Sequence, residues 1–575
     1  MEALAGSADE ASIFERSSAR ILLLSLLGVA VVSLWVFRPC LSNGFVNWDD
    51  QGYIEQLVRL KTFSWSSLRW IWTSLQPFYF QPIDWMTHLM DYRCWGLDPV
   101  GHHATNWFLH GLYVVSIGLL VWLLTGQAGV SRVRERMAFS ALVALVCGIH
   151  PLQVESVAWI SARNGLLCSF WMVLALIFYL RAVDDQQIRS RWWWATVAVQ
   201  VVALLTKPFA VSLPLLFLVL DFFPLGRQRR RGWGPLFREK WMFFLLSALA
   251  ALGAIASQEQ LERLSGEPVS GRVLAACRGF VFYLWKLIWP AWLSPFYPLE
   301  SAVELRKMEY GVPAAICLGM ALAIFWLRKR LPILPAAAIA YVAILLPVSG
   351  LVQVGGQAVA DRYAYLAMVP PLLVLASGGL QLWRISGIAV RGLISAAMIL
   401  WLVFLGVQTR SQIPIWRDGV SLWSSVLRRF PTDPRANFNL AMAFVGLGDF
   451  SKALPYAERA VNSSDPNTPQ LPVARATLGT IYLKTHDYAG ATNQLQQALA
   501  ANPNLPAARY NLACAHVRLG QLSQALEELR ELIAAHPEYA VLARRDSELA
   551  SLRQNPKLAL QFADLVSPKT DESQR

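Results

Sequence analysis

The stretch ILLLSLLGVAVVSLWVF, residues 21–37, contains no charged side chain. A helix needs about 20 largely apolar residues to cross a bilayer, so this stretch predicts a membrane span near the N-terminus. The residues before it carry acids and bases, and no small-residue cleavage site follows it. We therefore expect an uncleaved first span rather than a secretory signal.

The composition of the whole chain is that of a membrane protein. Of its 575 residues, 55% are hydrophobic, only 15% are charged and 24 are tryptophan. A soluble domain has about 25% charged residues, and tryptophan is enriched where membrane helices meet water. The net charge of +13 indicates basic cytoplasmic loops rather than nucleic-acid binding. The seven cysteines form no CxxC pair, so neither zinc nor a redox centre is indicated.

Apolar stretches continue to about residue 410 and alternate with basic connections. The predicted spans begin near residues 21, 106, 137, 165, 192, 208, 241, 311, 332, 363 and 391. The basic connections are 131–136, 181–191, 226–240, 328–330 and 383–391. The positive-inside rule places them in the cytoplasm. About eleven spans then put the C-terminal part and four loops outside, namely 39–105, 150–164, 258–310 and 347–362.

One apolar segment, 273–293, does not fit this alternation. A full span there would reverse the orientation of everything downstream and put the basic stretch 328–330 outside. We therefore interpret it as a re-entrant or interfacial element, which its tryptophans and prolines suit. The sequence leaves the alternative of a twelfth span open.

After the last span the chain becomes helical and rich in Ala and Leu, with a repeat. Leu478, Gly479, Tyr482, Ala491, Leu495, Ala498 and Pro503 recur 34 residues later as Leu512, Ala513, His516, Ala525, Leu529, Leu532 and Pro537. This period is the tetratricopeptide signature, two antiparallel helices that pack through small residues. Such arrays bind peptides in a groove. The repeats therefore predict partner capture, with a purely structural cap as the alternative.

The outer loops also collect ionisable residues. Three carboxylates could act as a base or hold a divalent ion, namely Asp49, Asp50 and Glu155. Three cations are suited to binding a phosphate, namely Arg163, Lys207 and Arg362. Two further residues could support them, namely His150 and Asp361. Charges at a membrane edge are functional by default. A base beside phosphate-binding cations predicts group transfer from a lipid-phosphate donor. The cation stabilises the leaving phosphate, and a carboxylate takes the proton of the attacking hydroxyl.

Structural alternatives exist for each of these residues. Asp50 could cap a helix, Glu155 could pair with Arg163, and Lys207 could extend its charge to the interface. Asp361 could serve only to orient Arg362. The histidines are more often packed polar residues than ligands, and no third ligand at zinc spacing accompanies them.

Four motifs followed by the repeats resemble a known family. They are FVNWDDQGYI (45–54), HPLQVESVAWISARNGLLCSFW (150–171), LLTKPFAVSLPLLFLVLDFFPL (204–225) and ADRYAYLAMVP (360–370). In this order they resemble the transmembrane and tetratricopeptide repeat-containing protein O-mannosyltransferases and their bacterial relatives, which are polytopic C-type glycosyltransferases.

The resemblance implies a polyprenyl- or dolichyl-phosphate sugar as donor, a Ser or Thr hydroxyl of a protein as acceptor, and inversion at the anomeric carbon. Carried onto this chain, it places the acidic pair of the first loop on Asp49 and Asp50, the acid of the second loop on Glu155, and the phosphate contacts on Arg163, Lys207 and Arg362. Relatives commonly carry an Arg-Pro pair in the first loop, whereas here Gln81 precedes Pro82. The sugar is expected to be mannose, and this departure bears on the sugar rather than on the reaction class.

The sequence therefore predicts an all-α protein with two domains. Residues 1–410 form a polytopic membrane glycosyltransferase of about eleven spans, resembling the C-type enzymes, and residues 411–575 form an extracytoplasmic α-solenoid. We expect a bacterial plasma membrane location, a polypeptide acceptor recruited by the repeats, contact with membrane lipid, no nucleic acid, and Asp49 as the base. A divalent metal is compatible with the carboxylates but not required.

Two other functions compete with this one. A membrane-anchored repeat scaffold would need one span and no interfacial acids. A flippase would place charges near the membrane midplane and show repeated halves. A transferase that acts on a glycan or a lipid stays open, as do the acceptor and the oligomeric state.

Overall fold

The computed structural model describes residues 2–60, 62–74, 80–184, 190–258, 268–298, 303–351, 357–466 and 468–567. These residues form helices and contain no strand beyond an isolated bridge between Pro298 and Gln357. They divide into two compact units, Met1–Asp418 and Gly419–Arg575. The predicted all-α fold class, apolar helices followed by repeats, is confirmed.

The first unit contains nineteen α-helices in its described residues. They are α1 (Glu2–Phe37), α2 (Asp49–Leu60), α3 (Trp65–Thr73), α4 (Pro82–Trp95), α5 (Pro99–Gln127), α6 (Val133–Ile149), α7 (Val154–Ala158), α8 (Arg163–Asp184), α9 (Arg191–Thr206), α10 (Leu213–Phe222), α11 (Arg227–Arg231), α12 (Trp233–Glu239), α13 (Trp241–Gln258), α14 (Val269–Ile288), α15 (Met308–Leu327), α16 (Ile333–Leu345), α17 (Ala364–Ala367), α18 (Val369–Ile385) and α19 (Ile388–Gln412). Every predicted span begins in, or next to, one of these helices.

Length and composition support fewer spans than the sequence predicts. Within the described ranges, five helices are long and apolar enough to cross a membrane, in the regions of α1, α5, α8, α15 and α19. Two helix pairs, each bent by 57°, raise the number to seven when each pair counts as one span. The regions of α10, α13 and α16 are apolar but shorter. The chain is thus built as a membrane protein, and the count of eleven stays a prediction.

The ambiguous segment 273–293 lies mostly in α14. This helix has 20 residues, which at 1.5 Å per residue is about 30 Å, the thickness of a bilayer core. It carries Arg272, Arg278 and Lys286, and it is not among the apolar candidates found in the described residues. The helix ends at Ile288, before the end of the segment, and its re-entrant or interfacial position, with a twelfth span as the alternative, stays a prediction.

Small residues bring α1, α5 and α6 close together. A Cβ atom at Gly118 of α5 would lie 2.3 Å from a methyl carbon of Leu26 of α1, and a Cβ at Gly148 of α6 would lie 2.1 Å from the hydroxyl of Ser33. Close approach of the backbones stabilises the association of membrane helices, because the hydrophobic effect contributes little to helix association within lipid. The same helices lead into the loops that carry the site.

The site lies where helices are interrupted by short 3₁₀ turns. Turns Pro151–Gln153 and Ile160–Ala162 flank α7, Pro208–Ser212 follows Lys207, and Asp361–Tyr363 precedes α17. Irregular backbone at membrane depth is tolerated only where protein buries it or where it lines a cavity. These interruptions therefore mark a polar region inside the membrane unit.

The described residues between α1 and α5, which belong to the first predicted outer loop, form a small helical layer. Tyr53 and Leu57 of α2, Ile71 of α3, and Trp85 and Leu89 of α4 form one buried cluster. Burial of apolar side chains is worth about 1.5–3 kcal/mol each. This cluster fixes the position of α2, whose first residues are the acidic pair.

The second unit is an array of helical hairpins. Its helices are α20 (Gly419–Arg429), α21 (Pro434–Gly446), α22 (Phe450–Ser463), α23 (Leu471–Lys484), α24 (Tyr488–Ala501), α25 (Pro506–Arg518), α26 (Leu522–Ala535), α27 (Tyr539–Arg545), α28 (Ala550–Gln554) and α29 (Ala559–Val566). Most of the predicted repeat positions on the helices are buried, including Leu478, Ala491 and Leu495, whereas Pro503 and Pro537 between the helices are exposed. A Cβ at Gly479 would lie 2.6 Å from Leu495, which explains the small residue there. The predicted tetratricopeptide repeats are confirmed.

Candidate functional site

Asp49, the predicted base, is the first residue of α2 and is partly exposed. Burial raises the pKa of its carboxyl above the ordinary value of 3.8, and the positive charges of Arg362 and Lys207 oppose that rise. Within the described residues its carboxylate accepts no hydrogen bond. Asp49 therefore offers unoccupied lone pairs beside two cations.

Asp50, in contrast, is buried and fully engaged. Its Oδ2 accepts a hydrogen bond from Val46 N at 2.9 Å, and its Oδ1 accepts from Ser161 N at 3.1 Å and from the Ser161 hydroxyl. Burial raises the pKa of Asp50 to about 6, and these hydrogen bonds oppose the rise. The geometry favours a structural tie between the start of α2 and the turn before α8, not a cap of its own helix.

Glu155 lies in α7 and holds Arg362. Its Oε2 accepts from the backbone N of Arg362 at 2.8 Å, and its Oε1 forms an ion pair with the guanidinium. The side chain of Glu155 is 2% exposed and that of Arg362 is 16% exposed. This double contact fixes Arg362 while leaving part of its guanidinium open. The geometry favours a positioning role for Glu155 and is compatible with a phosphate contact for Arg362.

Lys207 occupies the extended backbone between α9 and the turn Pro208–Ser212. Its Nζ donates to Asn164 Oδ1 at 2.9 Å. Burial and the charge of Arg362 lower the pKa of Lys207 to about 8. The hydrogen bond to Asn164 directs the ammonium toward the other site residues, so the geometry favours a site cation over an interfacial one.

Arg163 lies in a different network from the one the sequence predicts. It is fully buried and pairs with Asp91, with 2.5 Å between Nη2 and Oδ2. Its Nε donates to Asn106 Oδ1 at 2.7 Å, and its Nη2 donates to His102 O at 2.9 Å. The alternative that Glu155 pairs with Arg163 is wrong. Because its donors are occupied inside the protein, the geometry favours a structural role over contact with a donor phosphate.

The two supporting residues are packed into the fold. His150 Nδ1 accepts from Leu152 N at 3.2 Å, and its Nε2 donates to Leu287 O at 3.1 Å. Asp361 Oδ1 accepts from the Tyr297 hydroxyl at 3.0 Å. Glu155, and not Asp361 as expected, is the acid that orients Arg362.

A line of hydrogen bonds that the sequence does not reveal ends at Lys207. Asn164 Nδ2 donates to Gln81 Oε1 at 3.4 Å, Gln81 Nε2 donates to the Tyr53 hydroxyl at 2.7 Å, and that hydroxyl donates to Asp84 Oδ2 at 2.9 Å. Burial raises the pKa of Asp84 to about 7, and the Arg163 charge opposes the rise. The only sequence signal for these residues is that polar side chains recur in loops next to apolar spans.

Three tryptophans form a wall beside Asp49. The ring centroids of Trp48 and Trp159 are 4.8 Å apart, and those of Trp159 and Trp416 are 5.3 Å apart, both stacked. The guanidinium carbon of Arg362 lies 5.4 Å from the Trp159 ring centroid. Stacked aromatic rings give a rigid surface next to the charged groups.

The last residues of the first unit close onto the first outer loop. Gly44 N donates to Arg417 O at 2.8 Å, and Asn43 Nδ2 donates to Ile413 O at 3.2 Å. The segment after α19 therefore belongs structurally to the site region.

Within the described part of the chain, no group of three or more His, Cys, Asp or Glu side chains could hold a metal ion. The chemistry that the described side chains offer is acid–base and electrostatic.

The fold and the site together define a class, a membrane protein with a carboxylate beside two cations and with helical repeats at its C-terminus. Residues 416–472 and 482–554 each match a tetratricopeptide repeat family. These matches agree with the hairpins of the second unit.

Three curated proteins are similar to most of this chain. Human protein O-mannosyl-transferase TMTC4 is 23% identical over 429 residues, 66% of this chain and 57% of that protein. Protein O-mannosyl-transferase Tmtc3 of Drosophila melanogaster is 22% identical over 488 residues, 73% and 52% respectively. Human protein O-mannosyl-transferase TMTC1 is 24% identical over 409 residues, 63% and 45% respectively. The chain spans about half the length of these relatives. The predicted resemblance to the transmembrane and tetratricopeptide repeat-containing family is confirmed.

Proposed function

We propose that this protein is a membrane glycosyltransferase that moves a sugar from a polyprenyl-phosphate donor to Ser or Thr hydroxyls of a protein. The observation that carries the proposal is the convergence of an unoccupied carboxylate, Asp49, with two cations, Arg362 and Lys207. The names of the relatives support mannose as the sugar and a protein as the acceptor.

The proposed reaction is a single displacement with inversion. The acceptor oxygen bonds to the anomeric carbon while the bond from that carbon to the phosphate oxygen breaks. The hydroxyl proton passes to Asp49, and the electron pair of the broken bond stays on the lipid phosphate. Arg362 and Lys207 stabilise that growing negative charge, as preorganised donors do in other group transfers. A carboxyl pKa above 3.8 makes Asp49 a stronger base than an ordinary aspartate.

The second unit supplies the acceptor in this proposal. Tetratricopeptide arrays present grooves that bind extended chains, and a protein acceptor must reach Asp49 as a polypeptide. We place the site and the repeats on the extracytoplasmic face of a bacterial plasma membrane, which the alternation of basic loops supports.

The decisive test is Asp49→Asn, which keeps the size of the side chain and removes the base. Transfer should fall by about 10²–10⁴ while binding of the lipid-phosphate sugar stays near the wild-type value. Lys207→Ala and Arg362→Ala should instead weaken donor binding. Glu55→Gln is the matched control, since Glu55 lies exposed on the same helix. Wild-type transfer by Asp49→Asn would show that Asp49 is not the base.

The pH profile gives an independent check. Asp49 must be ionised to take a proton, and burial raises its pKa. Transfer should therefore fall as the pH drops, and the acid limb should lie above pH 3.8. An acid limb that is unchanged in a residually active Asp49→Asn would assign it to another group.

A further inference from the structure

In the line of hydrogen bonds that ends at Lys207, the chemistry of the end groups decides which side chain donates and which accepts at each step. Lys207 in its ammonium form can only donate, so Asn164 must turn its oxygen to it. Asn164 then has only its NH₂ to offer to the Gln81 oxygen and to the Tyr53 hydroxyl, which it also contacts, and the NH₂ of Gln81 faces that same hydroxyl. The last member, Asp84, accepts from Tyr53. A donor-only group at one end and a carboxylate at the other fix both amide orientations.

Gln81 is the middle of this line, and the site depends on its chemistry. It is 1% exposed, and it both accepts from Asn164 and donates to Tyr53. A side chain that lost either function would leave a buried polar group without its partner, which is costly.

We propose that Gln81 is a positioning residue that sets the orientation of the Asn164 amide and thereby holds the Lys207 ammonium at the site. The proposal rests on the proposed function in one respect, that Lys207 contacts the donor phosphate. Gln81 touches neither the donor nor the reacting atoms. It acts through Asn164, which carries the only hydrogen bond of the Lys207 ammonium in the described part of the chain.

The line explains why an arginine does not suit position 81 in this chain. A guanidinium donates five hydrogen bonds and accepts none, so Asn164 would have to turn its oxygen toward position 81. Its NH₂ group would then face the Lys207 ammonium, donor against donor. Gln81, Asn164 and Lys207 therefore form a matched set.

Several other groups set the charge state of Lys207. Those that act on it are Arg362, Cys168, Asp84 and Glu155, and Lys207 in turn acts on Asp49. Burial and the charge of Arg362 lower the pKa of Lys207 to about 8, and Cys168, Asp84 and Glu155 oppose that fall. Loss of the Asn164 hydrogen bond should lower it further, because that bond stabilises the charged amine.

The test reads Lys207 directly and needs no transferase activity. Full-length protein in detergent is acetylated briefly with acetic anhydride between pH 6 and pH 10, and modification of Lys207 is quantified by mass spectrometry. Wild-type labelling should rise with a midpoint near pH 8, since the pKa of Lys207 is about 8. Gln81→Met should label about fivefold faster at pH 7, because lowering a pKa of about 8 by about one unit raises the neutral fraction of the amine from about 0.09 to about 0.5.

Two further variants separate positioning from general damage. Gln81→Glu keeps an acceptor and adds a negative charge, so Lys207 should label more slowly at pH 7 than in the wild type. Gln200→Met is the control, since Gln200 is equally buried but donates to Phe243 O and Ser247 in another part of the unit. If Gln81→Met does not fold, Gln81→Asn carries the test, because its amide is one methylene too short to hold both Asn164 and Tyr53, and Lys207 should again label faster than in the wild type.

Donor binding then distinguishes the two proposals. A shifted Lys207 profile with a donor KM raised about tenfold supports both the positioning role and the phosphate contact. A shifted profile with unchanged donor KM supports the positioning role and contradicts the phosphate contact of Lys207. A Lys207 profile that is the same in wild type, Gln81→Met and Gln81→Glu overturns the positioning role of Gln81.

Discussion

Asp50→Ala should destabilise the membrane unit by about 2–4 kcal/mol, because Asp50 ties two buried backbone segments together. Its carboxyl accepts from Val46 N, from Ser161 N and from the Ser161 hydroxyl. Val46 is 2% exposed and Ser161 is 4% exposed, so water cannot replace the lost acceptor. Each backbone N–H left without a partner costs about 1–3 kcal/mol.

The same geometry predicts a graded series of variants. Asp50→Asn keeps one oxygen, which can still serve both donors of Ser161, and only the Val46 bond is lost. It should cost about 1–2 kcal/mol. Ser161→Ala removes a single hydroxyl and should cost about 1 kcal/mol. The order of stability should therefore be wild type, Ser161→Ala, Asp50→Asn and Asp50→Ala.

Thiol exposure on heating measures this order in detergent. Cys40, Cys147 and Cys168 are buried free thiols of the first unit, and Cys514 is a buried free thiol of the second. In a Cys514→Ser background a maleimide dye therefore reports the opening of the first unit, while the exposed Cys94 reacts at the start. The midpoint temperature should fall through the series in the stated order.

Asp49, the carboxylate next to Asp50, should contribute much less to stability. Asp49→Asn should unfold at the wild-type midpoint, because no hydrogen bond of Asp49 is seen among the described residues. Equal midpoints for Asp50→Ala and wild type would refute the structural tie, and a lower midpoint for Asp49→Asn than for Asp50→Ala would reverse the assignment of the pair.

Two more outcomes follow from the fold and the topology. Gly118→Ala should lower the thermal midpoint, because its Cβ would lie 2.3 Å from Leu26 and such overpacking costs about 1–3 kcal/mol. The control Gly28→Ala should leave the midpoint unchanged, since a Cβ at Gly28 would have nothing within 4 Å. Equal midpoints for the two variants would refute the close helix packing. Ser523→Cys, made with Cys94→Ser, should react with an impermeant maleimide in intact cells if the repeats are extracytoplasmic, and labelling only after lysis would contradict that orientation.

Local sequence patterns predicted the elements of this fold well because their physical causes are local. Apolar runs such as 21–37 lie in helices, and the 34-residue spacing around Leu478 and Ala491 gives hairpins whose small positions are buried. The segment 273–293 was harder, because its cations make it neither clearly apolar nor clearly a loop.

The site was predictable as a set of residues but not as a set of partners. Glu155 and Arg362 are 207 positions apart, and no local pattern shows that they pair. Arg163 lies eight positions after Glu155, yet its partner is Asp91. Which acid meets which cation depends on how the interrupted helices pack, and that is decided by contacts across the whole unit.

The closure of the last membrane helix onto the first outer loop has a consequence for modular evolution. Trp416 stacks on Trp159, and Arg417 accepts a backbone hydrogen bond from Gly44, so the few residues between α19 and the repeats belong to the site rather than to a neutral linker. A recombination that exchanged the repeat array after residue 410 would remove one wall of the site, whereas a crossover after Asp418 would leave it whole. Lineages that traded arrays are thus expected to share their junction at the later position.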